Sequence, residues 1–70
     1  MNQFKVEITS PPERDNLVAE IWFGDSQVAE LNTEHGDFEI ELYKPAKKKY
    51  WTFPLEEFLQ VIHEAKMRLL

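Results

Sequence analysis

The 70-residue chain predicts an α+β fold, a two-layer domain in which an antiparallel meander of four or five strands carries one C-terminal helix on one face. Three observations predict it. Apolar and polar residues alternate with a period of two in four separate segments, the signature of half-buried strands. One stretch near the C-terminal end places its apolar residues at helical spacing instead. The connections between these segments are short and polar, so consecutive strands are expected to be neighbours. A single helix covers only one face of such a sheet and leaves the other open.

In the first strand Phe4, Val6 and Ile8 alternate with Lys5, Glu7 and Thr9. Residues 10–16 hold Pro11, Pro12 and a polar run, and read as a loop. In the second strand Leu17, Ala19, Ile21 and Phe23 alternate with Val18, Glu20 and Trp22; Gly24-Asp25-Ser26 turns the chain into a third strand over residues 27–32. A second turn at residues 34–37 has Gly36 available for a left-handed position. Phe38, Ile40 and Leu42 then alternate with Glu39, Glu41 and Tyr43 in the cleanest strand pattern of the chain. After a lysine-rich loop, residues 50–53 are a candidate short fifth strand.

The helix is expected from Pro54 onward, since proline suits a first turn and Thr52 is placed to cap it. Glu56 and Glu57 at its start and Lys66 and Arg68 at its end match the helix dipole. Leu55, Phe58, Leu59, Ile62, Ala65 and Leu69 form the stripe expected to dock on the sheet, with Phe58 and Ile62 against Phe38, Ile40 or Leu42.

The stretch VAEIWFGDSQVAEL, residues 18–31, repeats Val-Ala-Glu on either side of its turn, and the register decides where the two glutamates go. A three-residue loop pairs Phe23 with Gln27. It puts Ala19, Ile21, Phe23, Ala29 and Leu31 on the core face and Glu20, Trp22, Val28 and Glu30 on the other. A two-residue Gly24-Asp25 turn is better turn chemistry, with glycine at the first position of a type II′ turn. It shifts the pairing by one residue and sends the glutamates to opposite faces. The hydrophobic pattern favours the first register, and a β-bulge would satisfy both demands. Glu20 then opposes Glu30. Glu7, Glu39, Glu41 and Tyr43 join them on an open face that is acidic with aromatics set into it. Solvation alone explains charge on an open face; aromatic residues among acidic ones also suit an interface with a basic partner.

The net charge of −5 argues against backbone electrostatic binding of nucleic acid, which needs a basic face. Lys44, Lys47, Lys48 and Lys49 beside Tyr50 and Trp51 form one basic patch, which reads as a solvated loop tip. Cysteine is absent, so neither disulfides nor thiolate metal sites staple a core that at this length is thin. No apolar run approaches the roughly 20 residues of a membrane helix, and the N-terminal stretch alternates too strictly for a signal peptide. A cytoplasmic protein is expected.

Catalytic chemistry finds few carriers. His35 lies in a turn and His63 on the helix flank, and His-Glu-Ala-Lys at 63–66 lacks the second histidine of a zinc helix. Ser10 and Ser26 have no histidine and carboxylate spaced to activate them. No glycine-rich loop cradles a phosphate. The expectation is a protein that is not an enzyme and holds no cofactor or metal.

Ala19-Glu20-Ile21, Ala29-Glu30-Leu31, Phe38 to Tyr43, Trp51-Thr52-Phe53-Pro54-Leu55, and Ala65-Lys66 with Leu69 together resemble a group of small stand-alone bacterial proteins. Some of these are similar to immunity proteins encoded beside secreted or contact-delivered toxins. The resemblance spans most of the chain after Leu17 and rests on structural positions. It implies a single-domain cytosolic binder that neutralises an enzyme by occlusion, and it brings no catalytic residues.

The expected function is therefore an acidic inhibitor or immunity-type domain over residues 1–70. It would bind a basic protein, such as a toxin enzyme, through Glu20, Trp22, Glu30, Glu39, Glu41 and Tyr43, as a monomer or weak homodimer. The alternatives are a small structural homo-oligomer and a phage or mobile-element protein that mimics nucleic acid.

Overall fold

A computed structural model describes residues 3–70. These residues form strands β1 (Phe4–Thr9), β2 (Val18–Phe23), β3 (Ser26–Asn32) and β4 (Glu39–Leu42), and the helix α1 (Leu55–Leu69). The strands lie in sequence order in one sheet, each antiparallel to the next, and α1 packs against β1 and β2. This is the α+β meander with one C-terminal helix that the alternation predicts, built with four strands.

The β2–β3 hairpin corrects the favoured three-residue loop, which paired Phe23 with Gln27, and reconciles turn chemistry with hydrophobic register through a bulge. Phe23 pairs with Ser26, so the turn is the two-residue Gly24-Asp25. Gly24 has φ +59 and Asp25 keeps a negative φ, as a type II′ turn requires. Between Ile21 and Trp22 the register then shifts, and Ala19–Leu31, Glu20–Glu30 and Ile21–Ala29 pair in the hydrophobic register. Val28 is the extra residue of the bulge. Expected beside Glu20 and Glu30, it is instead fully buried within the core cluster of Val6, Ala19, Ile21, Ala29, Leu31, Val61 and Ala65. The bulge turns one additional apolar side chain inward.

Two other expectations need correcting. Residues 50–53, the candidate fifth strand, are neither strand nor helix. They deliver Trp51 and Phe53 over the core, where Phe53 stands 4.8 Å from Phe4, 4.9 Å from Phe23, 5.3 Å from Trp51 and 5.4 Å from Phe58, centroid to centroid. The Trp51 indole N–H donates to the Tyr43 carbonyl at 2.6 Å, which ties this segment to the end of β4 through a side chain rather than a ladder. The helix also lies further from β4 than expected. Its buried residues are Val61 and Ala65, with Phe58, Ile62 and Leu69 packed against the core, while Leu55 and Leu59 are exposed. Phe58 meets Phe4 and Phe53; Leu42 of β4 stands largely in solvent and Ile40 is partly exposed. The helix begins one residue after Pro54, which takes the cap position without a side-chain cap, so Thr52 does not cap it.

Candidate functional site

On the face away from the helix the register brings Glu7 opposite Glu20, Glu20 opposite Glu30, and Glu30 opposite Glu41. One glutamate from every strand forms a single row across the sheet. Opposed side chains in an antiparallel pair lie about 5 Å apart, and like charges there are destabilising. The alternation places each glutamate outward one strand at a time; the meander then aligns them.

Neutralisation of the row is uneven. At one end the Lys5 ammonium lies 3.1 Å from Glu7 and 5.9 Å from the Trp22 ring centroid. Glu20 accepts a hydrogen bond from the Trp22 indole N–H at 3.1 Å, a neutral donor. At the other end a single guanidinium serves two carboxylates: Arg14 reaches Glu30 at 2.9 Å and also pairs with Glu41. The Asn32 side-chain N–H group donates to Glu30 at 3.0 Å and to Glu41 at 3.2 Å. Among the described residues two cations thus face four carboxylates. The hydrogen bond to Glu41, with the charges of Glu30 and Glu41, raises the Arg14 pKa above its already high ordinary value despite the opposing cost of its burial.

Arg14 comes from the loop between β1 and β2, and that loop lies across the sheet. A turn closed by the Arg14 N–H on the Pro11 carbonyl (3.2 Å) shapes it. The Asn16 N–H donates to Glu34 at 3.1 Å, and the Glu34 N–H donates to Asn32 at 3.3 Å, so the loop is hooked to the far hairpin as well. On the same face Val18 and Asn32 are fully buried although both belong to the polar side. Glu30 is buried too, which corrects its expected place on an open surface. It shares a face with Glu20 as predicted but serves as an internal partner for Arg14.

The remaining predicted residues are distributed around this clamp. Trp22 is half-buried between Lys5 and Glu20. Glu41 is exposed beside Arg14, and Glu39 is exposed and bonded to His35 Nδ1 at 2.6 Å. Tyr43 is half-buried; burial pushes its phenol pKa up, and the charges of Glu30 and Glu41 push it further. Arg14 and Asn32 were not singled out from sequence. The available signal was that Arg14 is the one basic residue among ten acidic ones between Glu7 and Tyr43.

Among the described residues, no three His, Asp or Glu side chains are arranged to hold a metal ion. No helix among them is long and apolar enough to cross a membrane. Compared with protein-family models, curated proteins and solved structures, the chain finds no significant match.

Proposed function

We propose that this chain is a small acidic protein-binding domain, an inhibitor or immunity-type protein that neutralises a basic partner enzyme by covering it with the polar sheet face. The observation that carries the reading is the four-glutamate row, offset among the described residues by two cations. A chain selected for stability alone gains nothing from opposing glutamates at every strand pair. A basic partner supplies the missing positive charge and gains association rate and specificity from it. Trp22 and Tyr43, at the margins of the row, add the aromatic area that interface centres favour. Glu20, Glu39 and Glu41 are the carboxylates offered outward; Glu30 contributes by holding Arg14 and its loop in place.

Binding fits this face better than catalysis, because Glu7 and Glu41 keep 45% and 44% of their side-chain surface in solvent. A general acid or base gains its altered pKa from exclusion of water. The test is capture of a partner from the source cell's lysate by the wild-type chain and by the Glu20→Gln/Glu41→Gln variant, with sedimentation of the chain alone. A basic protein retained by the wild type, lost from the variant and inhibited on binding supports the reading. Equal retention by both forms overturns the role of the row, and a tight dimer at nanomolar concentration favours a structural homo-oligomer.

A further inference from the structure

We propose that β4 and the apolar groove beside it accept an extended segment of the partner as a fifth strand, with basic and apolar residues alternating along it. The proposal rests on the binding reading above and adds the mode of attachment and the chemistry of the segment.

The two edges of the sheet are finished differently. At the β1 edge the Gly24 N–H donates to the Gln3 carbonyl at 3.1 Å, so alternation turns the backbone groups of Phe4, Val6 and Ile8 outward. Arg68 of the helix donates to the outward Val6 carbonyl at 2.9 Å and occupies that edge. At the β4 edge the Tyr43 N–H donates to the Val28 carbonyl at 2.9 Å, and the same alternation directs the backbone groups of Ile40 and Leu42 away from β3. All four residues of β4 are exposed. An edge of this kind is a template for another strand.

The side chains on either side of β4 define what that strand must carry. Glu39 and Glu41 lie on the polar face, with 49% and 44% of their side-chain surface exposed even after pairing with His35 and Arg14. Ile40 and Leu42 lie on the helix side. Leu42 there helps line a groove of about 280 Å³ with Val28, Trp51, Phe53, Leu55 and Phe58. A strand added in phase with β4 sets one side-chain series against the glutamates and the other against Ile40, Leu42 and the groove. Lysine or arginine suits the first series and aliphatic residues the second. A second copy of this chain is a poor occupant. Antiparallel pairing of two β4 strands centred on Ile40 or Glu41, the face-preserving registers of greatest overlap, opposes glutamates of the two copies.

The probe is a capped heptapeptide alternating lysine and valine, compared with its glutamate–valine counterpart. The expected result is binding of the lysine peptide alone, with amide hydrogen exchange at Ile40 and Leu42 slowed at least about tenfold. Ile40→Pro removes an outward N–H that β3 does not use, a substitution sheet edges tolerate, and is expected to abolish the protection at Leu42, the amide that still reports. If that variant does not fold, Leu42→Lys replaces it, and it should weaken the lysine peptide about tenfold or more by placing positive charge in the groove. Binding of the lysine peptide without protection of Ile40 and Leu42 overturns strand addition, and leaves the face-binding reading intact if Glu20→Gln weakens that binding. No peptide binding, alongside capture of a basic protein by the polar face, likewise overturns this proposal only; failure of both overturns both. Protection that rises with protein concentration in the absence of peptide assigns the edge to a second copy and overturns the proposal.

Discussion

The two faces of this sheet are held by different forces. The helix side is a continuous apolar layer: Val6, Ala19, Ile21, Val28, Ala29 and Leu31 beneath Val61 and Ala65, bordered by the rings of Phe4, Phe23, Phe53, Phe58 and Trp51. Its cohesion is non-directional and spread over many contacts. The opposite side is held by one loop and one guanidinium. Arg14 joins Glu30 to Glu41, and Asn16 hooks the loop to Glu34. Its cohesion is directional and concentrated in a few groups. Lost volume on the apolar face costs packing directly, whereas on the polar face the opposed glutamates themselves lower stability.

The sharpest way to break the first half of this contrast is Phe58→Ala. Phe58 sits 5.4 Å from Phe53 and 5.9 Å from Phe4, and is half-buried. Truncation of a core phenylalanine costs about 3–5 kcal/mol, and partial exposure puts this one near about 3. That is much of what a domain of this size has. Leu59→Ala, one residue along at an exposed position, should stay within about 0.5 kcal/mol of wild type. Urea denaturation compares the two; equal costs would mean that Phe58 is not on the docking face.

The contrast also explains which parts of the molecule were legible in the sequence. Faces of strands follow from alternation, because a strand's side chains have no other arrangement. Phe4, Val6, Ile21 and Ala29 were therefore assigned to the core side, and Glu20 and Glu30 to the other, from local pattern alone. Alternation favours a three-residue loop and offers a bulge only as a compromise with turn chemistry; neither the two-residue turn, the bulge's place at Val28, nor the burial of Val28 follows from pattern alone. Segments 10–16 and 50–53 were read for backbone type, whereas their roles lie in side-chain reach. Arg14 crosses to β3 and β4, and Phe53 enters a ring cluster built from β1, β2 and the helix. Such contacts have no period, so no window of sequence reveals them. Placement of the helix over β1 and β2, rather than β4, is likewise a tertiary choice, fixed in part by Arg68 on Val6.

Next in size is the polar clamp. Arg14→Met leaves Glu30 buried without its cation, and the melting temperature is expected to fall, though by less than in Phe58→Ala. Adding Glu30→Gln to that variant should recover part of the loss, because the amide is cheaper to bury than an unpaired carboxylate. In the wild-type background Glu30→Gln should lower stability. No recovery in the double variant, measured as a thermal double-mutant cycle, would show that the loop is held by Asn16 and Glu34 instead. Glu20→Gln is the opposite case within the same row. Glu20 has like-charged neighbours on both sides and only the Trp22 indole N–H as its bonded donor among the contacts seen here. Its neutralisation should leave stability unchanged or raise it by roughly 0.2–1 kcal/mol. A clear loss would mean that the Trp22–Glu20 bond outweighs the repulsion.

The smallest effect expected is at high pH, through Tyr43. Burial and the charges of Glu30 and Glu41 hold its phenol pKa above the ordinary value in the folded chain. The neutral phenol is therefore favoured by folding. Its contribution is fully present below the unfolded pKa of about 10 and is lost as pH rises through the folded value. Tyr43→Phe cannot ionise and removes this part of the pH dependence. The stability of wild type relative to Tyr43→Phe should be constant through the neutral range and should decline once pH exceeds about 10. Denaturation curves at a series of pH values measure the difference. A difference that stays constant through the alkaline range would mean that the phenol does not feel the row, and would place Tyr43 outside the electrostatic reach of Glu30 and Glu41. A decline that steepens in Arg14→Met, where the one charge lowering the phenol pKa is gone, would identify the guanidinium as the group that moderates the field of the row at that end of the sheet.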